Sequence, residues 1–175
     1  VSEGEEGLST IKALLDAGAD VNSTYDHGYT VFMSAVGSSR HPRVLRLLIE
    51  SGADPHAVSE HGYNAFHAAI DVDFDANAEE SVRDTLGYLS ELGVDIEHRN
   101  KRGQTPLGRA IDDGTALEVK VLCDLGADPN APTSCHSCTD GACERIESLP
   151  LFAAADTAVD SDEKVGAILQ AGADP

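Results

Sequence analysis

Apolar residues recur at helical spacing in short stretches along the chain. Val44, Leu45, Leu47 and Leu48 form one such stretch, and Val119, Val121 and Leu122 form another. This period predicts amphipathic helices, each burying one face. Residues 8–17 read as a further helix. These stretches end at glycines, where a left-handed backbone caps a helix at low cost.

The glycines belong to a recurring phrase: Gly18-Ala19-Asp20-Val21-Asn22, Gly52-Ala53-Asp54-Pro55-His56, Gly93-Val94-Asp95-Ile96-Glu97, Gly126-Ala127-Asp128-Pro129-Asn130 and Gly172-Ala173-Asp174-Pro175. Successive glycines stand 34, 41, 33 and 46 residues apart. A period near 33 is the mark of a repeat architecture. A second phrase follows twelve residues after each of the first three glycines: Thr30-Val31-Phe32-Met33, Asn64-Ala65-Phe66-His67 and Thr105-Pro106-Leu107-Gly108. In the fourth unit its counterpart, Leu149-Pro150-Leu151-Phe152, is displaced by eleven inserted residues, and roughly seven more are inserted around 72–80. Thr or Asn at the head of this phrase can cap a helix, and Pro106 suits the first turn. Polar turns with Gly28, Gly62 and Gly103 lie between the phrases. The unit is therefore a turn, a short helix, a second helix and a capped turn.

Gly-Tyr-Thr at 28–30, Gly-Tyr-Asn-Ala-Phe-His at 62–67, Gly-Gln-Thr-Pro-Leu at 103–107 and the five Gly-Ala-Asp-type phrases resemble the ankyrin repeat family. The resemblance implies an all-α helical repeat solenoid with short β-turn tips, forming a single array over 1–175. It implies a partial repeat over 1–20 and repeats at about 21–52, 53–93, 94–126 and 127–172, with insertions at about 72–80 and 134–144. Neither end carries a polar terminal repeat, so the array is expected to continue in both directions. Of the family's Thr-Pro-Leu-His histidine only His67 survives, and a structural role near the turn is expected for it.

Composition narrows the functional classes. Lys and Arg total 12 against 31 Asp and Glu, a formal net charge of −19. Nucleic acid and anionic membranes are disfavoured, and a charged partner is expected to be basic or cationic. Only 5% of residues are aromatic and Trp is absent, so the core must rest on Leu, Ile, Val and Ala. No apolar run approaches the length of a membrane span. No nucleophile elbow, phosphate loop or catalytic constellation stands out, so the chain is not expected to be an enzyme.

The resemblance implies a concave face lined by tips and first helices, so the residues around the turn glycines are the candidate contacts. These are Asp26, His27 and Tyr29, then Glu60, His61 and Tyr63, then Lys101, Arg102 and Gln104. The first two tips are near duplicates, and stacking would align an acid row, a His row and a Tyr row. Tyr contributes large contact area at small entropic cost. Ser38, Asp71, Val72, Asp112 and Asp113 extend the same face. His27 and His61 are candidates for pH-sensitive contact or are simply solvated.

The longer insertion carries Cys135, His136, Cys138 and Cys143. The C-x2-C spacing can place two thiolates on one zinc ion, with Cys143 a third ligand. A loop disulfide and free thiols are the alternatives, and no cofactor is otherwise implied. Cys123 lies in an apolar stretch and reads as a packed small side chain. Asp71, Asp73 and Asp75 alternate as in a calcium loop but lack its glycine and terminal Glu, so a lengthened connection is expected. The resulting expectation is an intracellular, cytoplasmic protein-interaction module within a larger protein. The alternatives are a metal- or redox-responsive segment at the Cys loop and a scaffold arm of an enzyme or channel.

Overall fold

A computed structural model describes residues 3–38, 42–70, 79–139, 142–156 and 160–173, with side chains described except at 3–6 and 135–147. The helices are α1 (Glu3–Asp16), α2 (Val31–Ser38), α3 (Pro42–Glu50), α4 (Ala65–Ala69), α5 (Glu79–Glu91), α6 (Pro106–Asp112), α7 (Ala116–Asp124), α8 (Pro150–Asp156) and α9 (Ser161–Gln170). They form two layers. In one, α2, α4, α6 and α8 pack in succession; in the other, α1, α3, α5, α7 and α9 do. The buried core between them includes Phe32, Val36, Leu45, Leu48, Phe66, Leu86, Leu89, Leu107, Ile111, Val119, Leu122 and Ile168.

The glycine phrases close the helices of the second layer as their sequence predicts. Gly52 has φ +92° and Gly126 φ +101°. The Gly52 N–H donates to the Ile49 carbonyl (3.0 Å) and the Ala53 N–H to the Leu48 carbonyl (2.9 Å). This paired pattern satisfies carbonyls that the helix end leaves open. The following Asp makes a local turn, with Asp54 Oδ1 accepting from the His56 N–H and Asp128 Oδ1 from the Asn130 N–H.

The same phrases also bind one repeat to the next. Asn22 Nδ2 donates to the Gly52 carbonyl, and its Oδ1 accepts from the Asp54 N–H, both at 2.9 Å. Glu97 Oε1 accepts from the Asp128 N–H at 2.7 Å. First-layer helices start on side-chain caps: Thr30 Oγ1, Asn64 Oδ1 and Thr105 Oγ1 accept from the N–H groups of Met33, His67 and Gly108.

The expectation of an all-α chain is corrected at the Cys insertion. There β3 (Thr133–Thr139) pairs antiparallel with β4 (Ala142–Ser148); the chain also holds the minimal pair β1 (Thr24–Tyr25) and β2 (Tyr29–Thr30). Two seven-residue strands satisfy each other's backbone, which a loop of that length would otherwise leave to water. The hairpin is anchored at its base, where Thr133 is buried against Gly108 and the Ser134 N–H donates to the Gly103 carbonyl (3.3 Å). Of the acidic insertion, residues 71–78 lie outside the described residues; Glu79 and Glu80 open α5.

Candidate interaction face

Each tip is a tight turn with a left-handed glycine, Gly28, Gly62 or Gly103, at φ between +75° and +78°. A polar side chain organises the second and third turns from within. Ser59 Oγ accepts from the Tyr63 N–H (3.1 Å), and Asn100 Oδ1 accepts from the N–H groups of Arg102 (2.8 Å) and Gln104 (3.1 Å). The tips are stitched edge to edge: the Glu60 N–H donates to the His27 carbonyl (2.7 Å) and the Lys101 N–H to the His61 carbonyl (2.9 Å). A Cβ on Gly62 would stand 2.7 Å from the Lys101 nitrogen, so the close approach requires glycine there.

This stitching brings like side chains into rows. The His27 and His61 rings lie 4.6 Å apart between centroids, and both are exposed. Tyr29 and Tyr63 meet edge to face at 6.4 Å, and Tyr25 lies 6.1 Å from Tyr29. Such tilted and edge-on contacts suit the charge distribution of aromatic rings. His27 Nδ1 stands 3.8 Å from Glu60 Oε2, an exposed pair that contributes little to stability. His27 itself adopts φ +59°, unusual for a residue with a Cβ.

The nine predicted contacts are not equivalent. Asp26, His27, Glu60, His61, Lys101 and Arg102 are exposed, and Tyr29 and Tyr63 are half-buried. Gln104 is a correction, because it is buried with 3% of its surface exposed. Its Nε2 donates to Asp112 Oδ2 (2.8 Å) and its Oε1 accepts from Asn100 Nδ2 (3.1 Å). It therefore braces the third tip against α6 instead of facing a partner. Of the flanking positions, Asp113 is exposed, Asp112 is occupied by Gln104, and Asp71 and Val72 lie outside the described residues.

Two residues not named among the candidate contacts, Tyr25 and Arg109, join this surface. Tyr25 is 56% exposed at the start of the ring row. Arg109 of α6 sets its guanidinium 4.7 Å from the Tyr63 ring centroid, closing the other end. Phe152, at the repeat position that His67 and Gly108 occupy, is 67% exposed. His67 is covered by the Gln104 carbonyl of the next tip, and the backbone of Gly108 by Thr133, which explains their burial. Only the repeat register could have singled out Arg109 and Phe152; neither residue type is informative by itself.

His67 has the structural place expected of it. It is fully buried, with Nδ1 at 2.8 Å from Asn64 Oδ1 and Nε2 at 3.0 Å from the Gln104 carbonyl, and it stacks on Tyr63. Burial is the main cause that pushes its pKa down from 6.5 to about 4; the neighbouring Arg109 and His98 add to this, and the Gln104 bond opposes it. The ring is therefore neutral near pH 7. Cys123 is half-buried, and burial first, then Asp124 and Glu97, pushes its thiol up to about 11, so it carries little thiolate.

In the hairpin, backbone register pairs Cys138 with Cys143 and Cys135 with Ile146. The zinc set expected at Cys135, Cys138 and Cys143 rests on side chains outside those described. Among the described residues no group of three His, Cys, Asp or Glu side chains converges as metal ligands, and no helix is long and apolar enough to cross a membrane. A groove on the second layer, between α5, α7 and α9, is lined by residues including Arg83, Lys120, Glu79 and Glu163, a mixture of both charges.

No curated protein matches the chain. Residues 14–69, from the end of α1 through α4 and including the first two tips, match the family model described as ankyrin repeats (many copies). Domains of this family are typically non-catalytic modules for binding other proteins. The recurring capped glycine, the stitched tips and the matched segment agree, and residues 14–69 carry ankyrin repeats.

Proposed function

We propose that the chain binds a protein or peptide segment across its tips and the adjoining first-layer helices α2, α4 and α6. The observation that carries this reading is the ring row Tyr25, Tyr29 and Tyr63, flanked by the paired His27 and His61. A partly exposed aromatic row on a rigid base is the kind of surface that anchors interfaces, since few rotamers are lost on contact. Asp26 and Glu60 border the row, so basic side chains of the partner fit beside the first two tips. Catalysis plays no part in this reading.

The test is affinity capture with the intact chain and two multiple variants. One replaces His27, Glu60 and His61 by Ala; the other replaces the exposed α5 residues Asp84 and Glu91 by Ala. Circular dichroism and thermal unfolding verify that both remain folded. The tip variant should lose a partner that the α5 variant retains. Equal retention by both would remove the tips from the binding surface.

A further inference from the structure

From the third tip, we infer that this face takes a partner segment carrying an acidic side chain, whose carboxylate is held by Arg109, with Arg102 and Lys101 of the tip adding positive charge. This rests on the proposed binding face and adds the chemistry of one end of it. In a chain of net charge −19 carboxylates are plentiful. Arg109 does not use one. No ion pair among the described residues involves it, and its Nε is buried without a hydrogen-bond partner. Its guanidinium carbon lies instead 4.7 Å from the Tyr63 ring centroid, and no hydrogen bond among the described residues engages its terminal N–H donors. A guanidinium set over a ring keeps its charge and its fork of donors, and that fork matches the two oxygens of a carboxylate.

The surroundings favour the same ligand. Arg102 is exposed on the third tip, and its backbone N–H is fixed by Asn100, so its base is ordered. Lys101, also exposed, adds a further positive charge. His67, beneath Tyr63, is neutral near pH 7 and does not compete for an anion. The first two tips carry Asp26 and Glu60, so the face is polarised along the row, acidic at one end and basic at the other. A segment with an aromatic or apolar residue for Tyr29 and Tyr63, and an Asp or Glu beyond it, meets both features. The acidity of the chain elsewhere disfavours the extended polyanion of a nucleic acid, whereas a single side-chain carboxylate needs only the one guanidinium of Arg109.

The experiment uses three fluorescein-labelled twelve-residue peptides with the same aromatic and Gly positions. Their remaining positions are Asp and Glu, Asn and Gln, or Lys. Binding to the intact chain is followed by fluorescence anisotropy, and contacts by the ring proton signals of Tyr29, Tyr63 and His61. The acidic peptide should bind most tightly, weaken as salt rises, and lose about tenfold or more in affinity when Arg102→Gln and Arg109→Gln are combined. Arg109→Lys, which keeps the charge without the fork, should fall between. Equal or tighter binding of the amide or Lys peptide overturns the inference, as does unchanged acidic-peptide affinity in the double variant. If the Lys peptide binds and shifts the Tyr29 and His61 signals, the binding face stands and the acidic preference fails. If no peptide shifts those signals, the face fails as well.

Discussion

Lowering the pH from 7 to 5 should destabilise this protein through His67. The ring is fully buried between Asn64 and Gln104. Two effects oppose each other there. A neutral imidazole donates only one N–H, so one of the two flanking oxygens faces a lone pair; protonation would satisfy both. Against this, a buried cation loses its hydration, and Arg109 and His98 repel it. Burial prevails, and the pKa falls from 6.5 to about 4.

The unfolded chain therefore binds a proton near pH 6.5 that the native ring refuses until about pH 4. Stability from this site is complete above pH 6.5 and is lost as the pH falls through that window. The linkage relation gives a loss of ~2 kcal/mol between pH 7 and 5. For a chain of this length the corresponding drop in Tm is ~4–8 °C. Urea unfolding at the two pH values, on the wild type and on His67→Leu, isolates the effect, because carboxylate titration is common to both. The variant should show a pH dependence smaller by ~2 kcal/mol. An NMR titration of the His67 ring in the wild type gives an independent reading. A native pKa at or above 6.5, or equal pH slopes in both proteins, would refute the reasoning and show that the two oxygens outweigh burial.

Gly108→Ala should destabilise by ~2–3 kcal/mol, because its Cβ would fall 2.8 Å from Thr133 Cβ, which no side-chain rotation moves, and would also press on Thr133 Oγ1 and Cγ2. Adding Thr133→Ala should recover part of the loss in chemical denaturation, and a loss under ~0.5 kcal/mol for Gly108→Ala would contradict the packing. Gly87→Ala, inside α5 and facing open space, should instead raise stability by ~0.5–1 kcal/mol in the same assay. Thr115→Ala removes a capping box in which the Glu118 N–H donates to Thr115 Oγ1 and the Thr115 N–H donates to Glu118 Oε2. It should cost ~1–2 kcal/mol, with hydrogen exchange rising first in the opening turn of α7.

The repeat was legible because its grammar is local. A helix must stop at a residue that tolerates positive φ, and a helix must start on a side chain that accepts backbone N–H bonds. Gly52, Gly126, Asn64 and Thr105 announce both events without reference to the rest of the chain. The tip rows were legible for a related reason, since near-identical turns at a fixed period must stack like on like once the repeats pack. The strand pairing of the Cys insertion was not legible, because seven-residue strands gain their stability from each other and from the Thr133 anchor, both non-local.

What only the tertiary structure decided is how each side chain is used. The sequence put Gln104 among the exposed tip residues because it follows a turn glycine, as Tyr29 and Tyr63 do. Contact with Asp112 and Asn100 turns it inward. The sequence offered no reason to notice Arg109, one arginine in a helix. Its importance comes from lying over a tyrosine that is 46 residues earlier in the chain and belongs to the preceding repeat. Local rules set where helices begin and end, because backbone hydrogen bonds are satisfied over a few residues. Whether a charge is paired, buried or left facing solvent depends on neighbours that only the packed repeats bring together.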